Sequence, residues 1–302
     1  MSLTDLESYE LLHAPSLAAL VALVADRHAS GLHTVLLAGG TDWLVEQESR
    51  PPLPSGVEHP VVLDVSRMPE LRALEVVSGE GGDRLRVGAA VTYLELRRSA
   101  VVGERAPLLA RMAADVGALQ IQARGTIGGN LATASPAADG VAALAALDAD
   151  VLVESVRGRR TIPFSALQTG YKTSTRAPDE VLVAVEIALP SRGAPFVWRK
   201  VAARRAQAIS KVALAGVAEV EDGRVTRFGV GMASVAPVTA RLPTVRALAL
   251  SRPIAEIDAA SVDRAVEADV SPIDDVRSTR DYRLHCAKAL VRAWLRQLGA
   301  RG

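Results

Sequence analysis

Cysteine is almost absent from this chain, since Cys286 is the only one among 302 residues. A single thiol cannot form a disulfide within the chain, and it cannot supply the four cysteines that an iron–sulfur cluster usually takes. Cysteine-ligated zinc is excluded for the same reason. We therefore expect no disulfide framework and no cysteine-held metal in this chain, and we interpret Cys286 as a packing residue of the last helix.

The chain also lacks an excess of positive or negative charge, and it has few aromatic side chains. Lys plus Arg number 35 against 34 acidic residues, and aromatics make up 3% of the chain. A balanced charge gives no basic surface for nucleic acid, and few aromatics leave little for base stacking. No run of 18 apolar residues could cross a membrane, and the first residues lack the basic and apolar blocks of a secretory signal. We expect a cytoplasmic protein.

The usual catalytic patterns are missing as well. The five histidines are scattered, and a surface or core position is the commoner explanation for each: His13, His28, His33, His59 and His285. The chain has no Gly-x-Ser-x-Gly nucleophile motif and no Gly-x-x-x-x-Gly-Lys-Ser/Thr phosphate loop. The sequence therefore predicts no catalytic side chain and no metal site of its own.

What the chain does have is glycine in two short stretches. Gly39 and Gly40 follow Thr34 to Ala38, an apolar run typical of a buried parallel strand, and residues 124–139 begin with three glycines in six positions. Glycine loops leave main-chain N–H groups free to bind anions. A tight surface turn is the commoner explanation for one such loop. Two of them favour a ligand with two phosphates.

Two acidic residues accompany these loops. Asp42 closes the first one, and Asp139 precedes an apolar helical run. Each carboxylate could accept a hydrogen bond from a cofactor hydroxyl, or could lie at a helix N-terminus, where the macrodipole favours an acid. For Asp139 the residues leave both interpretations open, and for Asp42 we favour the helix terminus.

The length predicts about two domains. Residues 34–65 have a strand–helix–strand pattern, and strand pairs are predicted at 73–77 with 84–89 and at 151–156 with 160–162. From residue 180 the pattern changes to long strands, predicted at 181–189, 196–201, 211–220 and 225–234, and then to helices. Asp222-Gly223 is typical of a hairpin turn. We place the domain boundary near residue 175.

Several segments together resemble a known family. Leu36 to Trp43 and Thr126 to Asp139 resemble the two FAD-binding segments of the flavin subunit of molybdenum hydroxylases, which include xanthine and carbon monoxide dehydrogenases. Residues 170–180 resemble the linker between that subunit's domains, and residues 272–283 the approach to its last helix. Residues 199–211 resemble the start of its C-terminal domain, in the manner of the purine-oxidising branch. The likeness covers nearly the whole chain.

The resemblance implies an α+β fold. Residues 1–175 would form an FAD-binding domain of the vanillyl-alcohol oxidase type, in lobes of about 1–58 and 59–175. Residues 176–302 would form a smaller domain with a three-stranded antiparallel sheet and helices. The segments 36–43 and 126–130 would hold the pyrophosphate and ribityl chain of FAD, and Asp139 a cofactor hydroxyl. The implied cofactor-binding residues are Leu36, Leu37, Ala38, Gly39, Gly40, Thr41, Asp42, Trp43, Val116, Thr126, Ile127, Gly128, Gly129, Asn130, Asp139, Tyr171, Leu182 and Lys200.

The implied function is that of an oxidoreductase subunit. It would carry FAD in a heterotrimeric, xanthine dehydrogenase-like molybdenum hydroxylase, take electrons from a [2Fe–2S] small subunit, and pass them to NAD⁺ or another acceptor. Substrate would react on a molybdopterin large subunit, and the complex would be a dimer of heterotrimers. One alternative is a free-standing FAD enzyme similar to UDP-N-acetylenolpyruvylglucosamine reductase, although its catalytic serine and glutamate have no convincing match. Another is a nucleotide-binding module without redox chemistry.

Overall fold

The computed structural model of the protein describes residues 9–49, 59–79 and 81–301. The helices are α1 (Leu17–Ala29), α2 (Trp43–Ser49), α3 (Tyr93–Arg98), α4 (Ala100–Arg105), α5 (Pro107–Ala113), α6 (Leu119–Gln122), α7 (Ile127–Thr133), α8 (Asp139–Ala146), α9 (Phe164–Leu167), α10 (Pro243–Ser251), α11 (Ala259–Asp269) and α12 (Arg280–Leu298). The strands are β1 (Leu11–Leu12), β2 (Thr34–Leu37), β3 (Val61–Asp64), β4 (Leu74–Gly79), β5 (Gly82–Gly88), β6 (Asp150–Ser155), β7 (Gly158–Pro163), β8 (Gln168–Gly170), β9 (Thr173–Ser174), β10 (Val181–Ala188), β11 (Phe196–Ala202), β12 (Ser210–Glu221) and β13 (Arg224–Ala233).

The first lobe is built on a small parallel sheet in the order β1–β3–β2. Helix α1 begins where the Ser16 hydroxyl accepts a hydrogen bond from the N–H of Ala19. Its apolar face, including Leu20 and Val24, packs on Leu63 of β3. The predicted strand–helix–strand unit over residues 34–65 is confirmed. The predicted lobe boundary at residue 58 lies outside the described residues.

The second lobe is built on an antiparallel sheet in the order β4–β5–β10–β6–β7. Both strand pairs predicted from the turn residues are confirmed. Helices α3 to α8 supply much of the core against this sheet. Leu85, Leu108, Met112 and Leu144 are among its fully buried members. The sheet and these helices form one continuous hydrophobic cluster, which fixes α7 and α8 in place.

Strand β10 lies at the centre of this sheet, where Val185 pairs with Val87 of β5 and with Val151 of β6. The sequence grouped residues 181–189 with the C-terminal domain, and the structure places them in the second lobe instead. An apolar run predicts a strand that is buried on both faces, but it does not predict with which strands it pairs. This pairing favours a domain boundary between residues 188 and 196, and the boundary stays a prediction.

The sequence suggested that residues 124–139 form a single loop, but the structure shows a helix within this stretch. Residues 127–133 form helix α7, and Thr126 caps it by accepting a hydrogen bond from the N–H of Gly129 at 3.0 Å. Two adjacent glycines are unfavourable inside a helix, so local propensity argued for a loop. Packing of this short helix against the end of β5 overrides that preference.

The C-terminal unit holds the antiparallel sheet β11–β12–β13, with α10 and α12 packed on it and α11 packed on these two helices. The predicted three-stranded sheet and its Asp222-Gly223 turn are confirmed. Its other face meets α8, so closely that a Cβ on Gly231 would lie 2.1 Å from the carbonyl oxygen of Ala142. Cys286 is buried in α12, as predicted. Among the helices of the described ranges, none is both long and apolar enough to cross a lipid bilayer.

Candidate functional site

The first glycine segment, Gly39 to Asp42, joins β2 to α2 at the carboxyl end of a parallel strand, where α/β sheets usually bind ligands. Gly40 has a φ of +71°, and a Cβ on Gly39 would lie 1.9 Å from the carbonyl oxygen of Arg124. Both positions therefore require glycine. The main-chain N–H groups of residues 39–42 make no hydrogen bond to any residue that the structure describes. They are available to an anion.

The second glycine segment contributes shape instead of free donors. The N–H of Gly128 donates to the carbonyl of Ala89 at 3.0 Å, and that of Gly129 donates to the Thr126 hydroxyl. The expectation of a second anion nest at these two glycines is therefore wrong. A Cβ on Gly128 would lie 2.6 Å from the Ala89 carbonyl oxygen, whereas one on Gly129 would approach only Thr126 Oγ1, at 3.1 Å. Gly128 serves close packing, and Gly129 leaves open space.

The structure brings the two glycine segments together. The contact of Gly39 with the Arg124 carbonyl joins them at one end. At the other end the Thr133 hydroxyl, on the last turn of α7, donates to the Asp42 carboxylate at 2.8 Å. Residues that are far apart in the chain thus form one continuous surface, as a shared ligand requires.

Two adjoining cavities open on this surface. One, here called the strand cavity, has a volume of about 550 Å³, and the other, the glycine cavity, about 590 Å³. Both lie within the size range of small-molecule sites. They share four lining residues, namely Leu36, Ala38, Gly129 and Ala132. One elongated ligand could therefore occupy both cavities across the line where the glycine segments meet.

Most residues implied by the resemblance line one or both cavities. Those that do so are Leu36, Leu37, Ala38, Gly39, Gly40, Thr41, Asp42, Trp43, Val116, Thr126, Gly128, Gly129, Asn130 and Leu182. Four do not. Ile127 is buried in the core, Tyr171 is 65% exposed on the β8–β9 hairpin, and Asp139 and Lys200 are buried in an ion pair with each other. The cofactor roles of all these residues stay predictions.

Asp139 and Lys200 form a buried ion pair that joins α8 to β11. Lys200 Nζ lies 2.5 Å from Asp139 Oδ2 and also donates to the carbonyl of Asp115 at 2.9 Å. The Ser210 hydroxyl donates to the other oxygen of Asp139, at 2.7 Å. Burial raises the pKa of Asp139, although Lys200 and Ser210 oppose that shift. The pair therefore links the second lobe to the C-terminal sheet.

Tyr93 is a site residue that the sequence did not reveal. It lines the glycine cavity, yet its Oη is buried and has no hydrogen-bond partner in the described part of the chain, and the same holds for Oδ1 of Asn130. Both atoms lie within 2.6 Å of the position that a Cβ on Gly140 would take. Burial, followed by the charges of Asp139 and Asp42, holds the pKa of Tyr93 well above its usual range. The phenol stays protonated and can donate.

Two cations that line the cavities were also missed. Lys172 lines the glycine cavity and forms an ion pair with Glu46 of α2 at 3.1 Å, and Arg176 lines the strand cavity. Neither stands beside a glycine in the sequence. Only the fold brings residues 93, 172 and 176 to the surface that residues 38–42 and 125–130 form, so no spacing in the chain could have identified them.

Comparison with known proteins assigns the family. Residues 7–190 match the FAD binding domain in molybdopterin dehydrogenase, and residues 198–298 match the CO dehydrogenase flavoprotein C-terminal domain. The carbon monoxide dehydrogenase medium chain of Hydrogenophaga pseudoflava is 30% identical over 96% of each chain. A putative xanthine dehydrogenase FAD-binding subunit of Escherichia coli is 27% identical over 95% of this chain and 94% of that one.

Solved structures agree with this assignment. A carbon monoxide dehydrogenase from Hydrogenophaga pseudoflava that lacks the Mo-pyranopterin moiety superimposes with a TM-score of 0.84, at 27% identity, over 94% of this chain and 95% of that one. Quinoline 2-oxidoreductase from Pseudomonas putida shares the fold, with a TM-score of 0.80 at 24% identity over 96% of each chain. The two matched domains together span nearly the whole sequence, and the chain belongs to the family of FAD-carrying subunits of molybdopterin dehydrogenases.

Proposed function

We propose that one FAD molecule occupies both cavities, with its diphosphate against the free N–H groups of residues 39–42. The observation that carries this proposal is that the glycine cavity, which these N–H groups line, joins the strand cavity at Leu36, Ala38, Gly129 and Ala132. The flavin ring is assigned to the glycine cavity, because the family resemblance implies that Tyr171 approaches the ring, and Tyr171 is next to Lys172, which lines that cavity. The adenosine half then belongs in the strand cavity, which Leu182 lines.

The residues present fit this cofactor. Gly39 and Gly129 leave room where a side chain would intrude, and the hydroxyl of Thr41 lies among the lining groups. Tyr93 Oη and Asn130 Oδ1 are a donor and an acceptor that no described residue satisfies, and a hydroxyl or ring amide of the cofactor would satisfy both. The Asp139–Lys200 pair holds α8 and β11 together. FAD, when bound, supplies the ability to accept electrons singly and release them in pairs.

We further propose that the chain is the electron-transfer subunit of a heterotrimer. Its relatives are named as medium chains and FAD subunits of dehydrogenases, and its one cysteine is buried in α12. Electrons would come from a [2Fe–2S] small subunit, substrate would react on a molybdopterin large subunit, and NAD⁺ or another acceptor would take the electrons away. This chain's own task is to bind and orient FAD and to exclude water from it.

Purification of the tagged chain from its natural host tests this function. We expect iron- and molybdenum-containing partner chains to copurify, with about one FAD per copy of this chain. A flavin-loaded chain that purifies without either metal, from cells in which it is expressed at its natural level, would contradict the subunit assignment. It would favour the free-standing flavoenzyme instead.

The purine-oxidising branch is our proposal for the complex as a whole. It is supported by the segment from Arg199 to Lys211, which resembles that branch and which supplies both side chains that contact the buried carboxylate of Asp139, namely Lys200 and Ser210. The purified complex should reduce NAD⁺ or a dye acceptor with xanthine. Oxidation of carbon monoxide but not of xanthine would overturn this branch while leaving the FAD assignment intact.

A further inference from the structure

Arg176 lines the strand cavity, and its guanidinium group has no carboxylate partner among the residues that the structure describes. Its Nη1 donates to the carbonyl oxygens of Glu180, at 2.7 Å, and Ala177, at 3.3 Å. Its Nε and Nη2 make no hydrogen bond or ion pair with any residue in the described ranges. The main-chain contacts hold the group in place and leave most of its donors unused.

The acidic residues near Arg176 are already paired with other arginines. Arg160 forms a two-pronged contact with the Glu180 carboxylate, at 2.6 and 2.8 Å. Arg157 contacts both oxygens of Asp179. These exposed arginines pair with the acids, while the more buried Arg176 is left without one. Burial lowers the pKa of the Arg176 guanidinium, against the attraction of Glu180, yet an arginine remains charged at any physiological pH.

The described residues that line the strand cavity include basic side chains but no acidic ones. Arg176, His28 and His33 are its ionisable lining residues, and no carboxylate is among the described residues that line it. The remaining wall is largely apolar, with Leu36 and Leu182 as examples. In such surroundings an unpaired cation attracts an anion more strongly than it would in water, and a planar fork of donors suits phosphate oxygens.

We propose that Arg176 is a further cofactor-binding residue, which contacts a phosphate on the adenosine side of FAD and makes the strand cavity selective for adenosine phosphates. This inference rests on the proposed placement of FAD. It adds a cation to a site that otherwise consists of main-chain N–H groups, short polar side chains and the Lys172–Glu46 ion pair at the glycine cavity.

The test compares wild type with Arg176→Met in equilibrium titrations with FAD, ADP and adenosine. We expect the dissociation constants for FAD and ADP to rise about tenfold or more, while that for adenosine stays unchanged. The affinity of the variant for ADP should also depend less on NaCl concentration. Arg159→Met is the matched control, because Arg159 is an exposed arginine paired with Glu154 on β6, and it should bind all three ligands as wild type does.

Arg176→Gln serves as a second variant, since its amide keeps a donor for the Glu180 carbonyl and so protects the fold. Wild-type affinity for FAD in either folded variant would overturn the role of Arg176. An equal loss of adenosine binding would also overturn it, because Arg176 would then contact the base and not a phosphate. If wild type itself takes up no FAD, the proposed function fails, which is a distinguishable result.

Discussion

Lys200 Nζ lies 2.5 Å from Asp139 Oδ2, and the two side chains are only 8% and 9% exposed. An ion pair with so little water is costly to assemble, because both charges lose their hydration. Here two further hydrogen bonds stabilise the pair: the Ser210 hydroxyl donates to Asp139, and Lys200 donates to the main-chain carbonyl of Asp115. The pair adjoins Gly140, where Tyr93 and Asn130 also meet. It therefore couples the C-terminal sheet to the floor of the glycine cavity.

Breaking this pair should reveal the charge of Asp139. Lys200→Met leaves an unpaired buried carboxylate, and we expect the free energy of unfolding at neutral pH to fall by about 3–5 kcal/mol. The folded-state pKa of Asp139 is already raised by burial, and loss of Lys200 should raise it further. A raised carboxyl pKa means that the folded state takes up a proton more readily, so the penalty should disappear as the pH falls through that pKa.

Urea unfolding of Lys200→Met at neutral pH and at about pH 5 measures this effect. The difference in unfolding free energy between the variant and wild type should be smaller at the lower pH. The double variant with Asp139→Asn should recover much of the loss at neutral pH, because no charge is left buried. A gap that is the same at both pH values would show that packing, and not charge, accounts for the loss.

The two glycines of α7 should behave differently when a methyl group is added. Gly128→Ala would place its Cβ 2.6 Å from Ala89, so we expect a loss of about 1–3 kcal/mol in unfolding free energy. Gly129→Ala meets only Thr126 Oγ1 and should fold normally, but its methyl intrudes where the two cavities join. We expect FAD affinity to fall about tenfold or more in Gly129→Ala.

Thermal unfolding and FAD titration of both variants check this contrast. Gly103→Ala is the control, because Gly103 is a helical glycine with no heavy atom close to the position of an added Cβ. Wild-type FAD affinity in Gly129→Ala would mean that the cofactor does not cross this junction.

Tyr93→Phe should separate cofactor binding from stability. The variant removes a buried hydroxyl that has no partner among the described residues and keeps the ring, which lies in the core cluster. Without FAD we expect the melting temperature to stay the same or rise. With FAD we expect affinity to be weaker by about 1 kcal/mol, since one hydrogen bond is lost. Tyr282→Phe, at an exposed tyrosine of α12, is the control. A lower melting temperature without FAD would show that the hydroxyl has a structural partner.

Asp275 carries a prediction for acid stability. It contacts Arg277 and also Arg283, which is 1% exposed on α12. Hydrogen bonds from Arg277 hold the pKa of Asp275 far below its usual range. A lowered pKa gives stability that is present above the unfolded-state value and is lost as the pH falls through the folded-state value.

Asp275→Asn should therefore lower the unfolding free energy at neutral pH by about 3 kcal/mol, the lower end for a broken buried pair, because Asp275 itself is partly exposed. Acid titration followed by circular dichroism should show that the variant loses less stability than wild type between neutral and strongly acidic pH. Parallel acid profiles for the two proteins would count against the ion pair as the cause.

The sequence predicted what depends on local pattern. The β4–β5 and β6–β7 hairpins and the Asp222-Gly223 turn all follow from short-range signals. It failed where distant packing decides. Strand β10 pairs with β5 and β6, which are distant from it in the chain. Helix α7 forms despite its two glycines because it packs against the end of β5. Tyr93 and Arg176 reach the cavities only through the fold, so their roles could not be seen in advance.

Titration of the flavin-free wild-type chain with FAD, followed by flavin fluorescence, tests the central claim most directly. The two cavities share the lining residues Leu36, Ala38, Gly129 and Ala132, so one cofactor should fill both. We predict saturation at about one FAD per chain, with ADP and FMN each competing for part of the same site. Saturation at two equivalents, or no saturable uptake at all, would contradict the single site that joins both cavities.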